Sequence, residues 1–216
     1  MEKIVELFET YFMTLVHPFK IHQQFRHGLP LPHHEGHLYP PITLAESVGI
    51  SWVFTIIRGV GKILILNFFL QTFLSMQSEE FPFLQELVQS SGVSTYYFLL
   101  FSAALDIIFF PVVTIIMTEV WAWIIRVYAK WLNPELPRDE IADQITTHAL
   151  SSNLFYMIPI LGDLIQPLLY YFLLYAGLRS NLETSRSLAI VILLTPTIFF
   201  MMLMSLLVLF VFYLVG

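Results

Sequence analysis

Apolar and polar positions alternate along this chain in two registers, a short one with helical spacing and then several long runs with almost no charge. Ile4, Leu7, Phe8, Tyr11, Phe12 and Leu15 recur at helical spacing, with Glu2, Glu6, Glu9 and Thr10 between them, which predicts an amphipathic N-terminal helix. That helix is too polar to span a bilayer, and its acidic face favours packing on protein over binding lipid. Residues 17–42 hold five prolines, two glycines and six of the seven histidines, so they read as an irregular cytoplasmic segment. Residues 1–42 are thus expected to form a cytoplasmic unit ahead of a membrane domain over 43–216.

The long runs predict five membrane helices. Thr43 and Glu46 form a T-x-x-E capping box, so a helix should start at Leu44 and continue to about Met76, with a span near 50–76. A polar stretch with Glu79, Glu80 and Glu86 leads to a second span near 95–125. Pro111 should bend it, and Trp121, Trp123, Tyr128 and Trp131 mark its interfacial end. Two shorter apolar stretches, 146–161 and 164–179, flank Pro159, Gly162 and Asp163 and predict a tight hairpin in which Asp163 caps the second arm. Residues 187–214 carry no charge and predict the last span. The fold class read from the pattern is an all-α, polytopic membrane helix bundle with an added amphipathic helix.

Composition agrees. Apolar residues make up 57% of the chain and charged ones 12%, against roughly 45–50% and 25% in soluble domains. Basic residues gather in alternate connections: Lys3, Lys20 and Arg26, then Arg126, Lys130 and Arg138, then Arg179 and Arg186. Cytoplasmic loops collect Lys and Arg, so the N-terminus is expected inside and, with five crossings, the C-terminus outside. The acidic first turn lacks the basic start of a signal peptide, so the N-terminus is expected to be retained. A formal charge of -6 with no basic cluster excludes nucleic acid as a partner. The absence of cysteine removes disulfides, thiolate metal sites and cysteine nucleophiles.

The second half resembles the Yip family of integral membrane proteins. The likeness covers roughly 95–215 and rests on WAWIIRVYAKW at the end of a long helix, SSNLFYMIPILGDL with its proline and glycine turn, and LLYAGLRSNLETSRSLAI leading into the last helix. The segment before the first span is short, as in a prokaryotic member, which points to a bacterial inner membrane, or to an endomembrane if the chain is eukaryotic. The resemblance implies five helices, a cytoplasmic N-terminus, binding of membrane partners and no reaction.

Ionisable groups inside a membrane cost about 2.5–3.5 kcal/mol each on insertion scales and call for a function or a partner. Lys62, Asn67 and Asp106 fall at one depth and are expected to form a buried polar cluster, either a structural clasp or a proton or ion site. Arg58 and Glu119 are expected to pair near the inner interface. His33, His34 and His37 form H-H-x-x-H, a set of imidazoles suited to a transition metal, although a solvated loop explains them as well. His148 lies near Ser151 and Ser152, but no glycine elbow or orienting acid accompanies them, so no enzyme is expected. No cofactor is expected either. The expected partners are the bilayer and other membrane proteins, a second copy of the chain included; the competing reading is a small ion, proton or metal transporter with a midplane site at Asp106.

Overall fold

The computed structural model describes residues 2–28, 38–75 and 82–215. They form helices α1 (Glu2–Val16), α2 (Pro18–His27), α3 (Leu44–Ser75), α4 (Pro82–Leu132), α5 (Arg138–Ala149), α6 (Leu161–Ser180) and α7 (Arg186–Val215), with a 3-10 segment, Leu150–Met157, between α5 and α6. No strand occurs among the described residues.

Local sequence sets the boundaries. Pro18 opens α2, where its missing N–H costs nothing, and Gly28 closes it with φ 65 while donating to the Gln24 carbonyl at 2.7 Å. Thr43 and Glu46 make the reciprocal capping bonds expected of them: the Thr43 N–H donates to Glu46 Oε2 at 3.1 Å and the Glu46 N–H donates to Thr43 Oγ1 at 3.3 Å. Ser185 Oγ accepts from the Leu188 N–H at 3.3 Å and starts α7.

Two boundaries differ from those the pattern predicts. Residues 18–27 are helical, because a proline at the first helical position starts a helix as readily as it breaks one. Helix α4 begins at Pro82 for the same reason, so the polar stretch before residue 95 belongs largely to it.

Among the described residues four helices are long and apolar enough to cross a membrane: Leu44–Phe69, Leu100–Leu132, Leu161–Ser180 and Arg186–Tyr213. The stretch 146–161, expected as a separate span, is instead the last turn of α5, the 3-10 segment and the bend after it. Its polar residues Thr146, Thr147, His148, Ser151, Ser152 and Asn153 are buried against protein. Thr146 and Thr147 donate back to the Ala142 and Asp143 carbonyls, and Ser152 donates to Ala149. A buried hydroxyl that closes on its own helix carries little cost, which lets a polar segment lie inside.

That segment and α6 run antiparallel. Asn181 Nδ2 donates to Gln144 Oε1 at 2.9 Å, Gln166 Nε2 donates to Asn153 Oδ1 at 2.8 Å, and Gly162 N–H donates to the Ile158 carbonyl at 2.7 Å in the bend. The main core lies where α5 and the second half of α6 meet Trp121, Ala122, Ile125 and Ala129 of α4 and Ala189 and Ile192 of α7. Helix α1 docks by Tyr11, whose hydroxyl donates to the Leu150 carbonyl and shares a 2.8 Å bond with Ser51 Oγ. Beyond that core, one face of α4 over 100–132 and the second half of α7 are uncovered: Ile108 and Leu209 are 63% and 64% exposed, and the large apolar residues from Ile198 to Tyr213 are all exposed.

Candidate functional site

The bend between the two arms meets α3 at its small residues. A Cβ on Gly61 would come within 2.6 Å of Pro159 Cγ, and one on Gly59 within 2.7 Å of Ile107 Cδ1, so glycine lets both the bend and α4 approach the α3 backbone. Around this contact four charges converge. Arg58 Nη1 lies 3.2 Å from Asp163 Oδ1, Arg58 Nη2 lies 3.7 Å from Asp106 Oδ2, and Lys62 Nζ meets Asp163 Oδ2. The Arg58 guanidinium also sits over the Tyr156 ring, 4.2 Å from its centroid. Two cations and two carboxylates balance formally, and Arg58 is the most enclosed, its side chain 13% exposed.

The polar cluster therefore has a different membership from the one the sequence suggests. Lys62 and Asp106 are both in it, and both line a cavity of ≈ 350 Å³ together with Phe69, Ser102 and Ile160. Asn67 is exposed on α3 and lies outside that lining. Arg58 pairs with Asp163 and Asp106, not with Glu119. Glu119 is 3.6 Å from Arg126, which also holds Asp139 at 3.2 Å and Asp143 at 2.7 Å. Asp163 is no cap: the residue before α6 is Ile160, with φ 71 and no side-chain bond, and Asp163 lies in the first helical turn facing two cations of α3. Its negative charge still suits a helix N-terminus, so the dipole and both cations favour it together. The speculative metal set His33, His34 and His37 lies outside the described residues.

Two other histidines are buried. His22 of α2 and His148 of α5 stand 5.8 Å apart between ring centroids. Burial pushes the His22 ring down to about 3, with His148 adding to the effect, and both its nitrogens lack a partner. Burial likewise lowers His148 to about 4, against the opposing pull of its bond with Gln144. His148 Nδ1 donates to the Gln144 carbonyl at 2.7 Å, and its Nε2 accepts from the Ile42 N–H at 3.4 Å. The ring is thus held as a structural strut and is not offered to Ser151 or Ser152.

The arrangement can do two things chemically. It can lock the bend to α3, and it can present Asp106, whose side chain is 57% exposed, to whatever enters the adjoining cavity. No family model, curated protein or solved structure matches the chain.

Proposed function

We propose that this chain is a non-enzymatic integral membrane protein of the Yip kind, which binds other membrane proteins or lipids and so organises them, in a bacterial inner membrane. The observation that carries this reading is the uncovered apolar surface of α4 and α7, where Ile198 to Tyr213 touch no core cluster and Ile108 to Met117 stand largely exposed. Apolar area of that extent is stable only against lipid or another protein. In this reading the N-terminus is cytoplasmic, the arms of 150–180 enter from the cytoplasmic side with the 3-10 backbone shielded by protein, and the C-terminus emerges outside. Because the chain has no cysteine, single cysteines at Val5 and Val215 can be labelled with a membrane-impermeant maleimide. Labelling of both ends from one face would remove this topology. Crosslinking in native membranes, repeated with α7 apolar residues replaced, should give defined partners that the replacements lose. Recovery of the chain with no reproducible neighbour would refute the binding role.

A second reading rests on the cavity beside Asp106. A small ion or proton transporter would use this half-exposed carboxylate as its site and Arg58 and Lys62 to tune it. Proteoliposome flux lost in Asp106→Asn, with the fold intact, would favour it over the binding role.

A further inference from the structure

A second cavity, of ≈ 300 Å³, lies where the start of α3 meets α4 and α5, and its lining includes Thr43, Thr118, Glu119, Glu140, Asp143 and Thr147. It is rich in acceptors and poor in donors. Thr147 already spends its hydroxyl hydrogen on the Asp143 carbonyl. Glu119, Asp139 and Asp143 share one guanidinium, that of Arg126, while Glu140 takes only the Gln144 amide at 3.2 Å and no cation reaches it among the described residues. Among these groups four carboxylates stand against one guanidinium, a formal -3, and three of the four, Glu119, Glu140 and Asp143, line the cavity. An independent sign comes from Thr118, which lines the same cavity, is 3% exposed and has a buried Oγ1 with no hydrogen-bond partner. A buried hydroxyl left unpaired beside uncompensated carboxylates suits an occupant that brings several N–H donors and a positive charge.

The face of α4 indicates how that occupant arrives. Ile108, Val112, Ile115, Glu119 and Trp123 follow at intervals of four, three, four and four residues, so they form one stripe along the helix. Its apolar members are exposed, at 63%, 54%, 42% and 64% in chain order. An apolar stripe that ends at an acidic cavity, beside a tryptophan of the membrane boundary, matches the shape of a membrane helix continued by a basic cytoplasmic flank. We propose that the cavity receives a lysine or arginine side chain from the cytoplasmic flank of a partner membrane protein whose helix lies along this stripe. The proposal rests on the binding role given above and names the chemistry of the partner.

The full chain, reconstituted in vesicles, is mixed with a fluorescent single-span leucine-alanine helix peptide whose cytoplasmic flank is either Lys-Arg-Lys or Ser-Ser-Ser, and association is read by energy transfer from the protein. The basic flank should associate at least about tenfold more tightly than the neutral one, a difference of about 1.4 kcal/mol. Glu119→Gln with Glu140→Gln should bring the two peptides within about twofold of each other, with helicity and melting unaltered. Equal association of both flanks with the unaltered chain would overturn the cavity assignment and leave the binding role standing. No association of either peptide would overturn both for this face. Arginine amide alone binding as tightly as the basic peptide would overturn the partner helix in favour of a free organic cation.

Discussion

Replacing Arg58 with methionine keeps the apolar stem and removes the charge that ties three elements together. Arg58 faces Asp163 of α6 at 3.2 Å, Asp106 of α4 at 3.7 Å and the Tyr156 ring at 4.2 Å. At an effective dielectric of ~20 the nearer pair alone attracts by about 5 kcal/mol, of which desolvation and side-chain ordering offset more than half. Lys62 stays on Asp163, and Asp163 is a third exposed, so the loss falls below the ~3–5 kcal/mol typical of breaking a fully buried pair. Arg58→Met should therefore cost about 2–3 kcal/mol in equilibrium unfolding from mixed micelles. Asp163→Asn alone should cost a similar amount, and the double variant should fall short of the sum by about 1.5 kcal/mol, since the two residues act on each other. An Ile160→Cys reporter in the bend should label faster in Arg58→Met than in the parent. A cost below about 0.5 kcal/mol, or strict additivity in the double variant, would refute the idea that this cluster fastens the bend.

Three further outcomes are expected. In Gly162→Ala the new Cβ would fall on the Phe155 carbonyl and within 2.8 Å of its carbon; because backbone cannot step aside as a side chain can, the variant should lose ~3 kcal/mol or fail to fold, as read by detergent melting. Tyr11→Phe removes the hydroxyl bonds to Leu150 and Ser51 and strands a buried carbonyl, which should cost about 1–3 kcal/mol and loosen α1, seen as faster proteolysis within residues 2–16. Acidification should undock α2. His22 and His148 have folded-state values of about 3 and about 4, below the ordinary 6.5, so the undocked state binds protons more readily; the stability present above pH 6.5 is lost as pH falls, by about 1.4 kcal/mol per unit for each ring. Tryptic cutting at Lys20 and Arg26 should speed up between pH 6.5 and 5, and His22→Phe should flatten that dependence. A pH-independent rate in the parent chain would contradict the buried neutral rings.

What the sequence makes legible here is whatever depends on neighbours in the chain. The Thr43–Glu46 box, the amphipathic face of α1, the turn at Pro159 to Gly162 and the charge-free run 187–214 of α7 each need only a few adjacent residues to be recognised. The region 144–153 is different. Its polar side chains are buried because they close on backbone carbonyls or meet α3 and α6, partners that are distant in sequence: Ser47 Oγ donates to the Thr147 carbonyl across 100 residues and Tyr11 to Leu150 across 139. Hydropathy averages such a segment into an apolar span, and only the tertiary contacts separate a lipid-facing helix from a protein-lined one. The same reason hides the true partner of Arg58, since Asp163 is 105 residues away and looks like a cap from its own neighbours.

The two charged sites differ in a way that bears on what each is for. At the bend, cations and carboxylates are equal in number and draw three elements inward, so no counter-ion is required and the natural consequence is rigidity. At the α4–α5 cavity the carboxylates outnumber the single guanidinium, and the surplus opens toward an exposed stripe of α4. Charge left unbalanced at a membrane boundary lowers the energy of whatever cation approaches it, and the effect weakens with salt. If the bend is a clasp and the cavity a receptor, raising ionic strength should release the basic-flank peptide while leaving the unfolding midpoint nearly unchanged, because the enclosed Arg58 pair is screened far less than the half-exposed Glu119 and Asp143. A salt series that shifted both together would mean that the two clusters share one role.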